Sequence, residues 1–438
     1  MAPETTSDAQ PKPAAGAGPG PSVGLWLLAM ACLAVRLPWI FTVPMSEAPD
    51  EFAHYWVIRF IREHWRLPSA LEVAAGGPSA VYGSLPQLGY LPHLIVSSLF
   101  PADAVSLAAR FGSLAMGLVT LWAGYRLGAE LFPGKRLLSL AVPCLLVFHP
   151  QLVFLHSYAN NDSTSSALAA LVLYLLVLTL KHGLTLRRSA LIGALLGWIA
   201  LSKYAGLAIF PVVFVACLTA AFLHRANRRL VLASFLIMVS LCLCVDLWWF
   251  LRNYQEFAGD WLGTKTMYRT WAVTFHRDLN FHMRLWQVIK QSAWWHALFF
   301  SFWGLFGYMN RYLWRPVYAV YLGFLITAVL GFIKDAIRPA RLQRTRVSTA
   351  VWLTLAFSVA VNLTAMIFAS STNLGGPQGR YLFTSEIPVL ALTVAGLARL
   401  GKSGGYWLVS ALIAFNAAVC LGSWLMLFST YGWHLRPY

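Results

Sequence analysis

The sequence predicts an all-α polytopic membrane protein, and three observations support this fold class. The 438-residue chain is 58% hydrophobic, its mean hydropathy is +0.62, and only 11% of its residues are charged. A soluble domain of this size carries about twice that charged fraction. Apolar runs of about 18 or more residues alternate with short basic segments, which is typical of membrane-spanning helices and not of an outer-membrane barrel.

The apolar runs predict about eleven spans. Their ranges are 23–44, 104–132, 137–156, 164–180, 188–203, 205–223, 230–250, 314–333, 348–370, 382–399 and 405–428. Residues 1–21 are rich in Pro, Ala, Gly, Ser and Thr, so we expect a disordered cytoplasmic tail there. Residues 22–438 are expected to form a single transmembrane domain.

The distribution of charge predicts the sidedness of the spans. With a cytoplasmic N-terminus, the inner loops are 133–136, 181–187, 224–229, 334–347 and 400–404. Together with their flanking residues they contain fifteen Lys and Arg but a single acid, Asp335. This asymmetry follows the positive-inside rule, so we expect a multi-pass protein of the plasma membrane, bacterial in origin. The net charge of +17 comes largely from these loops, and we therefore expect no nucleic-acid partner.

Two large segments lie on the predicted outer side. Outer loop one covers residues 45–103 and is expected to contain re-entrant or interfacial helices, and a second segment, 251–313, follows span seven. Acidic residues collect outside, which lipid solvation alone does not require, so we expect a polar cavity at the outer face. An interfacial helix is predicted early in loop one, with one side formed by His54, Ile58, Ile61 and Trp65 and the other by Arg59, Arg62 and Arg66.

The stretch APDEFAHYWVIRFIREHWRLP (48–68) contains the predicted catalytic residues Asp50, Glu51 and His54. Asp50 and His54 are one helical turn apart and share a face. One carboxylate could act as general base toward an acceptor while the other orients it or helps to hold a divalent metal ion. His54 could bind that metal ion or hydrogen-bond the acceptor. In the alternative interpretation, Asp50 and Glu51 only cap the helix and His54 is structural.

Further polar residues at the predicted outer face are candidate substrate-binding groups. They are Asp162, Lys203, Arg252, Gln378, Arg380 and Tyr381. Lys203, in LSKYAGL, is placed to meet a lipid phosphate at headgroup depth, or it only snorkels to the interface. Arg380 is the last residue of the glycine-rich GGPQGR, where bidentate phosphate binding is favoured over anchoring at the membrane interface. Asp162 begins span four as a helix cap or a supporting group, and Arg252 lies beside an aromatic belt that could equally be an interfacial anchor.

These outer motifs together resemble the GT-C superfamily of polytopic membrane glycosyltransferases. The similarity is to the branch of protein O-mannosyltransferases and aminoarabinose transferases and to related bacterial membrane proteins. It rests on PDEFAH in the first outer loop and on GALLGWIALSKYAGL (193–207), WWFLRNYQEFAGDWLG (248–263), SFWGLFGY (301–308) and GPQGRYLF (376–383). It extends over residues 23–428, and we expect no large soluble domain after the last span of the kind that some relatives carry.

The resemblance implies sugar transfer from a polyprenyl-phosphate donor to a glycan, lipid or protein acceptor at the outer membrane face, with inversion. It makes Asp50 the base or acceptor-binding residue, with Glu51 beside it. Lys203 and Arg380 are the candidates for binding the donor phosphate. No cofactor is certain, although a divalent metal ion is compatible with the residues.

Two other classes of function compete with this interpretation. A transporter or flippase of a lipid-linked saccharide would carry charged residues through the midplane and paired broken helices, and the spans show neither pattern. A scaffold that has lost activity would not need Asp50, Glu51 and Arg380 to be intact.

Overall fold

The chain folds almost entirely into helices. The computed structural model describes residues 23–276, 282–337, 345–372 and 375–434. The tail predicted to be disordered, 1–21, lies outside the described residues. The helices in chain order are α1 (Val23–Thr42), α2 (Glu51–His64), α3 (Ala70–Gly76), α4 (Leu91–Ser97), α5 (Val105–Leu131), α6 (Arg136–Phe148), α7 (Pro150–Leu155), α8 (Asp162–His182), α9 (Leu186–Ala200), α10 (Ile209–Leu223), α11 (Arg228–Glu256), α12 (Thr264–Phe275), α13 (Leu285–Lys290), α14 (Ser292–Trp303), α15 (Arg315–Ile337), α16 (Arg346–Ser371), α17 (Glu386–Ala398) and α18 (Lys402–Tyr431).

Nine helical stretches in the described part of the chain are long and apolar enough to cross a membrane. They contain α1, α5, α8, α10, α11, α15, α16, α17 and α18, and short 3-10 turns lengthen α5, α10 and α17 at their N-terminal ends. A perpendicular crossing needs about 20 residues, which each of these stretches supplies. The chain is therefore an integral, multi-pass membrane protein.

The predicted count of eleven spans is not confirmed. The predicted spans 137–156 and 188–203 correspond to shorter helices. The first is divided into α6 and α7, because Pro150 begins a new helix after His149 adopts an extended conformation. The second is α9, which has 15 residues. It packs closely on α11, since a Cβ atom added at Gly193 would lie 2.4 Å from the Met238 carbonyl oxygen.

Outer loop one is helical, as predicted. It contains α2, α3 and α4, and Ser69 and Glu72 form a capping box at the start of α3. On α2, His54 and Ile58 are buried and Arg59 is exposed. Trp65, which we assigned to the apolar side, is instead 84% exposed, because the left-handed backbone of Trp65 ends the helix there.

The second outer segment is shorter than predicted, since α11 continues to Glu256. It contains α12, α13 and α14, followed by a two-stranded antiparallel hairpin that the sequence analysis did not anticipate. The strands are β1 (Leu305–Phe306) and β2 (Arg311–Tyr312), with Leu305 paired to Tyr312.

A buried ion pair fastens outer loop one to the helical bundle. Arg110 of α5 donates to both carboxylate oxygens of Glu51, at 2.8 and 2.6 Å. The same guanidinium donates to the carbonyl oxygens of Ile40 and Val43, and Glu51 also accepts from the backbone N–H of Ala159 at 2.9 Å. Both side chains are almost fully buried. This one contact therefore joins the end of α1, the start of α2, α5 and the segment before α8.

We predict that Arg110→Gln lowers the thermal unfolding midpoint of the detergent-solubilised protein substantially. The substitution leaves the Glu51 carboxylate buried without its charged partner, which typically costs about 3–5 kcal/mol. The matched control is Arg59→Gln, which removes the exposed pair with Glu63 and should cost under about 1 kcal/mol. Equal shifts in the two variants would contradict the anchoring role.

Candidate functional site

Asp50 has an unusual backbone conformation and an unexpected partner. Its φ of 61° and ψ of 6° lie in the left-handed region, which non-glycine residues adopt rarely. It stands at the N-cap position of α2, but its side chain makes no capping hydrogen bond. Its Oδ2 atom instead accepts from Nη2 of Arg380 at 2.7 Å, across 330 residues of sequence. The alternative that this carboxylate caps the helix is therefore wrong for Asp50.

Arg380 is the most highly connected of the predicted site residues. Its Nε donates to Oε1 of Gln378 at 2.6 Å, and its Nη1 lies 3.4 Å from the hydroxyl of Tyr158 and 3.9 Å from Oδ2 of Asp162. The side chain of Arg380 is buried, whereas the side chain of Asp50 keeps 24% of its surface exposed. An incoming molecule therefore reaches Asp50 before it reaches Arg380.

Lys203 completes the group from another part of the chain. Its Nζ atom donates to Oδ2 of Asp162 at 2.6 Å and lies 5.0 Å from the ring centroid of Tyr381. The guanidinium of Arg380 lies 5.4 Å from the same ring centroid. Two cations thus contact one tyrosine ring, which favours positive charge over its face. We call the following six residues the polar cluster: Asp50, Asp162, Lys203, Gln378, Arg380 and Tyr381.

Helix ends bring the polar cluster together. Asp50 precedes α2, Asp162 is the first residue of α8, Lys203 lies between α9 and α10, and Arg380 lies in the 3-10 turn that leads into α17. Asp50 and Asp162 therefore each stand at the N-terminal end of a helix, where the helix dipole favours negative charge. Two carboxylates balance two cations, so a phosphate could replace a carboxylate as partner of either cation.

The pKa of Asp50 is lowered by this arrangement. Burial by itself would raise it, but the charge of Arg380 and the hydrogen bond from Arg380 outweigh that effect, with a further contribution from Lys203. Asp50 is consequently ionised at neutral pH while Arg380 remains its partner.

His54 is buried next to the polar cluster as a neutral imidazole. Burial and the neighbouring charge of Lys203 place its pKa well below the ordinary value, although Asp50 acts in the opposite sense. Its Nδ1 lies 2.6 Å from the hydroxyl of Tyr90, and its ring packs 4.8 Å from that of Tyr82. Its Nε2 is buried and has no hydrogen-bond partner within the described ranges. A hydrogen-bonding contact with substrate stays a prediction for this atom.

Glu51 and Arg252, two other predicted site residues, do not belong to the polar cluster. Both oxygens of Glu51 are occupied by Arg110, so its geometry suits the positioning of Asp50 better than contact with substrate. Arg252 donates to the carbonyl oxygen of Pro68 and to the side chain of Asn253, and it packs over Phe257. These described contacts hold outer loop one against α11 and include no member of the polar cluster.

The donors proposed for a metal ion are not gathered into one site. Asp50 and Glu51 are adjacent in sequence but bind different arginines, and His54 bonds to a tyrosine. Residues 23–276, 282–337, 345–372 and 375–434 contain no group of three His, Cys, Asp or Glu side chains that could hold a metal ion. The residues in this arrangement do not fit a metal, and we derive no step through one.

The segment that carries Arg380 is held at both ends by residues that we did not predict. Ser301 accepts from the backbone N–H of Gly379 at 2.7 Å, and Nδ1 of His149 lies 2.5 Å from Oε1 of Glu386. Both His149 and Glu386 are buried. A histidine and an acid inside predicted apolar spans indicate a polar contact there, because such groups need partners in a membrane. Their partnership across 237 residues was not deducible.

Gly379 permits the close approach that places Arg380. A Cβ atom at this position would lie 2.1 Å from the backbone nitrogen of Phe302 and 2.3 Å from its Cα. These neighbours are backbone atoms of α14, which cannot move as a flexible side chain could. Gly376, in the same loop, has open space around its Cα and a φ outside the positive region.

We therefore predict that Gly379→Ala lowers the unfolding midpoint of the protein while Gly376→Ala leaves it nearly unchanged. Overpacking of this kind costs about 1–3 kcal/mol. Differential scanning fluorimetry on both variants, in the same detergent, measures the difference. Similar midpoints for the two variants would show that α14 and the 379–385 turn are not tightly packed.

Comparison with known proteins identifies the fold. Neither a protein-family model nor a curated protein sequence matches the chain. Among solved structures, ArnT from Cupriavidus metallidurans bound to undecaprenyl phosphate aligns with a TM-score of 0.57 at 14% identity, over 93% of this chain and 76% of that one. The apo oligosaccharyltransferase of Archaeoglobus fulgidus aligns with a TM-score of 0.50 at 15% identity, over 95% of this chain.

The chain covers only part of the length of the oligosaccharyltransferase. The chain spans 56% of the oligosaccharyltransferase, so little more than half of that protein is represented. At these identities the similarity concerns the fold, and it agrees with the family resemblance seen in the outer-loop motifs. The chain therefore has the GT-C membrane fold that these two proteins share.

Proposed function

We propose that the chain is a glycosyltransferase that moves a sugar from a polyprenyl-phosphate donor to a hydroxyl group of an acceptor at the outer membrane face. The observation that carries this proposal is the Asp50–Arg380 pair within the polar cluster. It combines an accessible carboxylate with a buried cation at the ends of membrane-spanning helices. The shared fold with ArnT, which was solved with undecaprenyl phosphate, supports the choice of donor class.

The charges at the ends of the same helices support the proposed sidedness. α8 begins in the polar cluster at Asp162 and ends with Lys181 and His182. α16 begins at Arg346 and ends at Ser371, on the side of the 3-10 turn that contains Arg380. Basic residues therefore collect at the ends opposite to the polar cluster. By the positive-inside rule, this supports a cytoplasmic N-terminus and an outer location for the polar cluster.

The polar cluster suits a lipid-linked phosphate. The planar guanidinium of Arg380 can contact two phosphate oxygens, and the ammonium of Lys203 adds a second positive charge. Both lie where spans end, which is the depth at which a polyprenyl phosphate holds its headgroup. The sugar would then extend outward past Asp50, the more accessible side of the pair.

The transfer step can be written with these groups. The acceptor oxygen attacks the anomeric carbon while its proton passes to the Asp50 carboxylate. The bond between the anomeric carbon and the phosphate oxygen breaks, and its electron pair leaves with polyprenyl phosphate. Arg380 and Lys203 stabilise that charge. Attack from the face opposite to the phosphate inverts the anomeric configuration.

Arg380 also connects donor binding to the basicity of Asp50. In the resting protein the guanidinium keeps Asp50 a weak base, because it lowers the pKa of that carboxyl. A donor phosphate that takes Arg380 as its partner removes this stabilisation, and burial then raises the pKa of Asp50 toward the range of an effective base. Asp50 would accept a proton readily only when the donor is bound.

We predict that Asp50→Asn abolishes transfer while the protein stays folded, because an amide cannot accept the acceptor proton. Purified protein in nanodiscs would be incubated with a panel of radiolabelled polyprenyl-phosphate sugars, with transfer and hydrolysis followed by chromatography. The matched control is Asp103→Asn, an exposed acid elsewhere in outer loop one, which should keep wild-type turnover. Donor binding without turnover, equal in wild type and Asp50→Asn, would favour a transporter or flippase.

A second prediction concerns pH. If Arg380 leaves Asp50 when the donor binds, the acid limb of kcat lies at higher pH than the acid limb of kcat/KM, because kcat/KM reports the free enzyme. The acid limb of kcat/KM should lie below about pH 4, because Arg380 holds the pKa of Asp50 in the free enzyme below the ordinary aspartate pKa. In Arg380→Gln the separation between the two limbs should disappear. Coincident limbs in the wild type would contradict the exchange of partners.

A further inference from the structure

A groove on the surface of the helical bundle lies far from the polar cluster. It has a volume of about 520 Å³ and runs between α10 and α16. Its walls are mostly apolar and include Val215, Phe222, Leu223, Leu353 and Phe357, with three threonines among the other lining residues. No step of the proposed transfer uses any of these residues.

The position of the groove separates it from the proposed donor site. Along α16 its lining runs from Arg346 to Phe357, whereas the helix continues to Ser371, on the side of the polar cluster. At 1.5 Å per residue, the nearer end of the groove is about 21 Å from that end of the helix. The groove therefore opens to the leaflet opposite to the polar cluster.

The groove faces lipid and ends at a cation. Phe222 is 80% exposed and Leu353 is 64% exposed, so both are covered by hydrocarbon in the membrane. Arg346, the first residue of α16, lines the end of the groove. Its guanidinium has no hydrogen bond or ion pair with another residue within 23–276, 282–337, 345–372 or 375–434. An apolar channel with an arginine at its end matches a molecule with a hydrocarbon chain and an anionic head.

We propose that this groove binds an anionic glycerophospholipid of the opposite leaflet, with one acyl chain between α10 and α16 and its phosphate on Arg346. Charge complementarity selects this occupant over the tail of the polyprenyl donor. The donor has its phosphate at the polar cluster, so its tail would bring no negative charge to Arg346. The bound lipid would fill the seam between two helices that otherwise contact each other incompletely.

The test uses the full-length protein, delipidated in a neutral detergent. Phosphatidylglycerol, phosphatidylcholine and undecaprenyl phosphate would each be titrated while the unfolding midpoint is followed. Native mass spectrometry would count the phospholipids retained by each variant. We expect a saturable increase in the midpoint with phosphatidylglycerol and a smaller one with phosphatidylcholine.

Three variants assign the effect to the groove. Arg346→Gln should weaken the apparent affinity for phosphatidylglycerol roughly tenfold, because it removes a charge-assisted contact with the phosphate. Thr349→Trp should weaken it by occupying the groove from an exposed position on α16. Arg229→Gln, at the same membrane face but outside the groove, should behave as wild type.

Two results would overturn the proposal. One is an equal response of wild type, Arg346→Gln and Thr349→Trp to phosphatidylglycerol. The other is stabilisation by undecaprenyl phosphate that Thr349→Trp abolishes and Arg346→Gln does not, which would assign the groove to the donor tail. Neither readout depends on transfer activity, so failure here leaves the proposed glycosyltransferase function untouched.

Discussion

Two adjacent carboxylates, Asp50 and Glu51, bind two different arginines. This division fixes outer loop one to the helical bundle and sets the position of the Asp50 carboxylate. Glu51 is enclosed by Arg110, which fastens outer loop one to α1 and α5. With Glu51 fixed, the left-handed backbone of Asp50 directs the neighbouring carboxylate the other way, toward Arg380. One acid thereby holds the structure and the other stays open to solvent. The separation explains why a pair of acids in sequence does not form a metal site in space, and it leaves one charged, accessible group beside two cations.

Much of this arrangement could be predicted from the sequence, because polar residues are expensive in an apolar chain and their positions therefore carry information. Asp50, Asp162, Lys203, Gln378, Arg380 and Tyr381 were selected individually for that reason, and the fold brings them together. Their roles in binding and catalysis stay predictions. The different surroundings of Asp50 and Glu51 could not be inferred, since both have the same charge and only the positions of Arg110 and Arg380 in the fold distinguish them. Arg252 is also a polar residue in an apolar chain, but it joins outer loop one to α11.

The limits of the span prediction have a similar physical origin. Hydropathy identifies apolar segments but does not measure the length of an unbroken helix. The break before Pro150 divides one predicted span into α6 and α7, and close packing on α11 accommodates the short α9. The hairpin of β1 and β2 contains two residues per strand, too few for any periodicity to be read. The pairing of His149 with Glu386, which supports the turn containing Arg380, depends on tertiary contacts alone.

In the proposed mechanism, the donor phosphate and Asp50 compete for Arg380. The most direct measurement is a cryo-electron microscopy structure of the protein in nanodiscs saturated with polyprenyl phosphate. We expect phosphate density in contact with Arg380 and Lys203, and an Asp50 carboxylate released from the 2.7 Å contact that it makes in the free protein. Phosphate bound elsewhere, or an Asp50–Arg380 pair that remains intact beside the phosphate, would contradict it.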